Sequence, residues 1–277
     1  LEGHENAVNH VCFYPDENKL VSGSEDRTLR IWDRNTGAVE VLNGHTGRVW
    51  EVDVSRDGKM IVSGSADRTV RVWNGESGEM MNIFSGHWGE VNSVEFSRDS
   101  NRVVSGSDDR SVRVWSLETG ELAFEPVECR GRVFCVRYSP SGDRFASGAN
   151  CVQIWDAQTG VSILSMRNSA VTSLAWIGDG THFIGGRKSQ VTIWNSHNGE
   201  PLRTWKAHND CIALSLPLAG SHVVTPDEKK TALVFDVSTG KQVGALTHDT
   251  TILGIVYSPS GKFIATGCRD NKVYLWE

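Results

Sequence analysis

"VSGSADRTVRVWN", residues 62–74, sets Ser63, Asp67 and Trp73 close together, and His45 stands eighteen residues before the serine. Serine, histidine and aspartate are the residue types of a hydrolytic triad, so the stretch raises the question of an active site. The rest of the chain answers it. "VSGSEDRTLRIWD" (21–33), "VSGSDDRSVRVWS" (104–116) and "ATGCRDNKVYLWE" (265–277) are variants of the same phrase. Its closing aromatic recurs at Trp32, Trp73, Trp115, Trp155, Trp194, Phe235 and Trp276, in steps of 41, 42, 40, 39, 41 and 41 residues. A period near 40 marks a repeat architecture. Seven units fill all 277 residues as one domain, 1–277, with no room for a second.

Each unit reads as four short strands. An apolar run such as "VNSVEFS" (91–97) ends in a turn, "RVVSGS" (102–107) leads into the aspartate, and "SVRVW" (111–115) follows. A glycine sits five residues after each of the first six aromatics (Gly37, Gly78, Gly120, Gly160, Gly199 and Gly240), where a left-handed turn suits it. A fourth run, as in "EMMNIFSGH" (79–87), reaches the next Gly-His. β-Branched residues dominate and no helical period is present, so the chain reads as all-β.

Gly-His at the start of a unit, Trp-Asp at its end and the forty-residue period resemble the WD-repeat family of β-propellers. The resemblance covers the whole chain. It implies a seven-bladed propeller of four-stranded antiparallel blades, each packed on both neighbours. The regular phrasing is also similar to that of fungal NACHT-type and F-box-linked WD-repeat proteins. The chain opens on "LEGH", the tail of a fourth strand, and stops at "YLWE", the end of a third. Blade seven is therefore expected to lack its outer strand within these residues, as in a piece of a longer protein.

The triad types recur as sets: His4, Ser22, Asp26, Trp32; His45, Ser63, Asp67, Trp73; His87, Ser105, Asp109, Trp115; and His248, Thr266, Asp270, Trp276. Every set has intervals of 18, 4 and 6 residues. A hydrolase needs one nucleophile beside one pocket and one oxyanion hole, and four copies around a ring cannot share these. In the resembled family such residues form a hydrogen-bonded chain that links strands within a blade. They are therefore expected to be structural tetrads, and no catalytic residue is assigned.

Blades four to six depart from the pattern. Blade four keeps Ser147 and Trp155 on a turn two residues shorter and has no Gly-His. Blade five keeps Trp194, with Gly185 near the serine position, and blade six has Lys229 and Phe235 in place of aspartate and tryptophan. Altered turns around Asn150, Arg187 and Glu228 could shape a partner site. His208 and Cys211 are ligand types, but His208 fills the repeat's own histidine position, so no metal is expected. "SGS" and "GDG" (178–180) lack a Walker lysine and "GGRK" (185–188) is short, so they read as turns and no cofactor is expected.

The resemblance implies a non-catalytic scaffold that binds a protein or peptide on its narrower face. Contacts are expected just after the Gly-His and just before the turn aspartate. Transferred by phase, the candidates are Arg48, Trp50, Glu90, Asn92, Asp108, Arg132, Phe134, Arg187 and Arg269, with Cys211 and Glu228 in blade six. Trp50 and Phe134, bordered by Glu90 and Asp108, suggest a peptide with a basic side chain. An enzyme with a central-channel site and a nucleic-acid-binding propeller are the alternatives. A net charge of -6 argues against nucleic acid and anionic membranes as main partners. Six cysteines without a C-x-x-C pair, and no N-x-S/T site, suggest a reduced intracellular, cytoplasmic protein, monomeric as a closed propeller.

Overall fold

The computed structural model describes residues 1–166, 169–187, 189–207, 213–216, 220–226 and 230–277. His208, Cys211, Glu228, Lys188 and Lys229 lie outside them. Blade one is an antiparallel meander of Val8–Phe13, Lys19–Ser24, Leu29–Asp33 and Val39–Leu42. Blades two to five repeat that order, from Val49–Ser85 through Val91–Glu128 and Cys135–Met166 to Ser173–Lys206. Blade six shows strands His222–Pro226, Thr231–Asp236 and Gln242–Thr247, with Ser215 bridged to Val224 where the first strand belongs. Blade seven has Ile252–Tyr257, Ile264–Cys268 and Val273–Trp276, and its first strand packs on that of blade one. The ring is a seven-bladed β-propeller.

Close blade-to-blade packing explains the repeated "SGS". A Cβ on Gly23 would lie 2.7 Å from Val49 of the next blade, and one on Gly64 would lie 2.8 Å from Val91. Second strands such as Lys19–Ser24 are accordingly buried on both faces after their first residue. Gly37, Gly78, Gly120, Gly160, Gly199 and Gly240 turn the chain from third to fourth strand at φ between 66° and 74°. There a side chain other than glycine would be strained.

The first strand of each blade is the inner edge of its sheet, and its outward N–H groups need acceptors. In blades three, four, six and seven the preceding blade supplies such acceptors. Glu51 accepts from Val94 N at 2.8 Å, Asp53 from Phe96 N at 2.9 Å and Ser93 from Val136 N at 3.0 Å. Glu95 accepts from Tyr138 N, Ser173 from Leu214 N at 3.1 Å, and Ser215 from Tyr257 N at 3.0 Å. Polar side chains in the channel wall thus bind blade to blade.

The fourth side of blade seven is only begun. Leu1 exchanges two backbone hydrogen bonds with Val273, at 2.6 and 3.0 Å, and Glu2 bridges Lys272. "LEGH" therefore lies where an outer strand of blade seven would end.

Candidate functional site

The tetrads come first, because their chemistry decides whether a hydrolytic site exists. In blade two, Trp73 Nε1 donates to Ser63 Oγ at 2.9 Å. His45 Nε2 lies 2.7 Å from the same oxygen, and His45 Nδ1 lies 2.7 Å from Asp67 Oδ2. Blade one matches it, with Trp32, Ser22, His4 and Asp26 linked at 2.8, 2.7 and 2.7 Å. Blade three matches it with Trp115, Ser105, His87 and Asp109 at 2.9, 2.8 and 2.7 Å. An ionised aspartate only accepts, so Nδ1 carries the proton and the serine donates to Nε2.

The electrostatics agree. Burial pushes the His45 and His87 pKa values down, which keeps the rings neutral. Burial also opposes ionisation of Asp26, Asp67 and Asp109. Hydrogen bonds from the histidine, from the Thr28, Thr69 or Ser111 hydroxyl and from backbone N–H groups outweigh it and hold all three well below the usual carboxylate range. Ser22, Ser63 and Ser105 are fully buried, and each receives an indole N–H where a nucleophile would need open space. Each chain of bonds ties two strands, the turn between them and the incoming connection together, as a brace.

Two blades modify it. In blade seven His248 Nε2 lies 2.8 Å from Thr266 Oγ1, but His248 Nδ1 and Asp270 Oδ1 are buried without a partner. Asp270 accepts instead from Tyr274 OH at 2.6 Å, which corrects the expectation of a fourth complete tetrad. In blade four Trp155 donates to Ser147 Oγ at 2.9 Å, and Cys129 Sγ lies 3.5 Å from that oxygen. Cys129 fills the histidine position eighteen residues before the serine. "CRGRV" (129–133) set beside "HTGRV" (45–49) carries that signal.

The histidine connections and aspartate turns lie on one face of the ring, here the top face. Here Trp50 Nε1 donates to Glu90 Oε2 at 2.7 Å, the Arg48 guanidinium sits 5.9 Å from the Trp50 ring, and Arg48 pairs with Glu25 at 3.4 Å. Asn92 donates to Asp108 at 2.7 Å and to Val133 O at 3.0 Å, while Arg132 pairs with Asp108 at 3.4 Å. Both carboxylates that a basic peptide would need are thus engaged within the face.

Trp50, Asn92 and Phe134 also line the mouth of the central channel, a cavity of about 380 Å³ to which every blade contributes. The same cavity is lined by the apolar Leu214, Leu253 and Ile255 and the polar His10, Glu51 and Arg137. Arg137 binds Glu51 at 2.6 Å. Arg132, Phe134 and Arg187 line a second depression. Arg269 is exposed on the blade-seven turn and lines neither cavity. Trp88 has no role in the repeat and is 81% exposed; its backbone N–H donates to Asp109, which puts it on the same face. Among the described residues no three His, Cys, Asp or Glu side chains converge as metal ligands do.

The family model "WD domain, G-beta repeat" matches residues 1–33, 37–74, 78–116, 126–156, 160–195 and 240–277. The chain belongs to this WD-repeat family. The unmatched interval holds the departures Lys229 and Phe235. Among curated relatives it is 29% identical over 134 residues to cell division cycle 20.1, cofactor of APC complex, of Arabidopsis thaliana, spanning 46% of this chain and 29% of that protein. It is 24% identical over 127 residues to the serine-threonine kinase receptor-associated protein of Dictyostelium discoideum, spanning 46% and 43%. It is 27% identical over 135 residues to THO complex subunit 3 of Arabidopsis thaliana, spanning 48% and 43%. The matched stretch is less than half of each of these relatives. WD-repeat propellers are generally protein-interaction scaffolds.

Proposed function

We propose that this propeller is a non-catalytic platform that holds a protein segment or short peptide across its top face, over the mouth of the channel. The observation that carries this reading is the mouth itself. It is a concave apolar cavity rimmed by Trp50 and Phe134, with polar groups of several blades around it. Aromatic anchors over a pocket with a polar rim are where binding energy concentrates. Relatives described as a complex cofactor, a receptor-associated protein and a complex subunit support the same role. The channel's Glu51, Arg137 and His10 hold one another, and the tetrad hydroxyls are sealed, which disfavours a hydrolytic channel site. No cofactor is invoked, and an intracellular setting suits the free thiols.

A random peptide array probed with the wild type and with a Trp50→Ala, Phe134→Ala double variant tests this. The variant is expected to lose at least about tenfold in affinity for the peptides retained, as for two hot-spot anchors. Unchanged retention by a folded variant would place binding elsewhere and overturn the reading.

A further inference from the structure

In blades one to three the turn after the second strand carries the tetrad aspartate. Blade four's turn is two residues shorter and carries no carboxylate, only Asn150. Above it lies a groove of about 350 Å³ between blades three, four and five, lined by Arg110, Arg130, Gly131, Arg132, Phe134, Asn150 and Arg187. Four arginines thus line one depression in a protein of net charge -6. Arg110, Arg130 and Arg132 are exposed, and Arg187 is half-buried.

Among the described residues only Arg132 of these four has an anionic partner, Asp108 at 3.4 Å. Among the described residues no carboxylate pairs with Arg110, Arg130 or Arg187, and none lines the groove. The local backbone keeps it open. Asn150 Nδ2 donates to Arg130 O at 3.3 Å, and a Cβ on Gly131 would lie 2.6 Å from that same nitrogen. A larger residue at 131 would collide with the Asn150 amide.

We propose that this groove binds the phosphoryl group of a phosphorylated serine or threonine, on the segment that crosses the channel mouth. This rests on the platform reading above. A carboxylate offers one charge and two oxygens, whereas a phosphoryl ester brings a charge of about -1.5 to -2 and three strong acceptors, which suits a groove where three arginines have no carboxylate partner among the described residues. A nucleic-acid backbone would call for a positive track, but the neighbouring rim carries Glu25, Glu90 and Asp108. Phe134 lines both the groove and the mouth, so one extended segment can place its phosphoryl group among the arginines and its neighbouring side chain in the mouth.

The test uses a degenerate peptide array with a central phosphoserine or phosphothreonine, its unphosphorylated twin, and a short oligouridine as competitor. The wild type is compared with an Arg110→Gln, Arg130→Gln, Arg187→Gln variant, whose melting temperature should be unchanged because these side chains form no ion pair among the described residues. The wild type should bind the phosphorylated array at least about tenfold more tightly than its twin, and the variant should lose that difference. Equal binding of both arrays, lost in the Trp50→Ala, Phe134→Ala variant, overturns the phosphoryl site and leaves the platform standing. Binding of neither array overturns both. Phospho-selectivity that survives in the arginine variant, or oligouridine that binds more tightly than any phosphopeptide, also overturns the proposal.

Discussion

His248 and Asp270 occupy positions that in blades one to three are joined at 2.7 Å, yet His248 Nδ1 and Asp270 Oδ1 are buried without a partner. The cause is Tyr274, whose hydroxyl holds Asp270 Oδ2. At the same phase, four residues after the aspartate, the complete tetrads carry Arg30, Arg71 and Arg113. Tyr274→Arg should therefore free the carboxylate to accept from His248 Nδ1. Removing two unsatisfied buried groups should raise stability by about 1 kcal/mol or more. The urea midpoint reads the gain, and a new slowly exchanging imidazole N–H resonance reads the bond. A variant without that resonance would show that something other than Tyr274 keeps the pair apart.

Ser63 is expected to be structural. Ser63→Ala leaves the Trp73 indole and His45 Nε2 facing each other without a hydroxyl between them, and should cost about 1–3 kcal/mol in chemical denaturation. A fluorophosphonate serine probe should leave the folded wild type unlabelled. Labelling at Ser63 would contradict the burial that defines the brace.

The tetrads were legible because the 18, 4 and 6 spacing is a register requirement, set by antiparallel pairing and a fixed turn length. The same phase could have found Cys129, since Gly131 and Val133 align with Gly47 and Val49. The diversion of Asp270 could not be read, because it depends on a side chain choosing between two partners within reach. Nor could the arginine groove. Arg110 and Arg187 are far apart in sequence, and blade geometry alone brings them to one depression. The apolar blades were plain from composition, whereas nothing in the sequence marks Glu51, Asp53 and Glu95 as inward-facing carboxylates. Their role in capping the next blade's inner edge shows only in three dimensions.

Those channel carboxylates give the protein a distinctive pH profile. Burial, with the neighbouring negative charges and against the attraction of Arg137, raises Asp53 to about 6 and Glu95 to about 8. Above the histidine range the folded state therefore still holds the Glu95 proton after the unfolded chain has released its own. Stability should fall as pH rises from about 6.5 to about 8. On the acid side burial lowers His45, His87 and His248, so the unfolded chain takes protons first as pH falls below about 6.5. The depressed Asp26, Asp67 and Asp109 then withdraw their contribution below about pH 4. The urea midpoint should peak between about pH 6 and pH 7. Glu95→Gln, which can still accept from Tyr138 N, should flatten the alkaline decline. An alkaline slope unchanged in Glu95→Gln would assign the titration to another group.

The seam between the two ends should be the place where stability can be added. In blade one the third strand is paired along its length, from Leu29 with Leu42 to Trp32 with Val39. In blade seven the corresponding edge is paired only through Leu1 with Val273 and Glu2 with Lys272, supported by a 2.7 Å ion pair between Lys272 and Glu2. An alternating segment fused ahead of Leu1, patterned on "VEVL" (39–42), would run antiparallel past Tyr274 and Trp276 and pair their free edge. Each cross-strand pair adds about 0.2–1 kcal/mol. For a domain of this order, each kcal/mol gained raises the melting temperature by about 2–4 °C. Removing Leu1 and Glu2 should move the melt the other way, because the edge then loses its only strand partner. Calorimetry on the extended and shortened chains measures both shifts. A melt that ignores both changes would mean that the blade-seven edge is satisfied as well by water as by a strand, and that ring closure rests on the packing of its first strand against blade one alone.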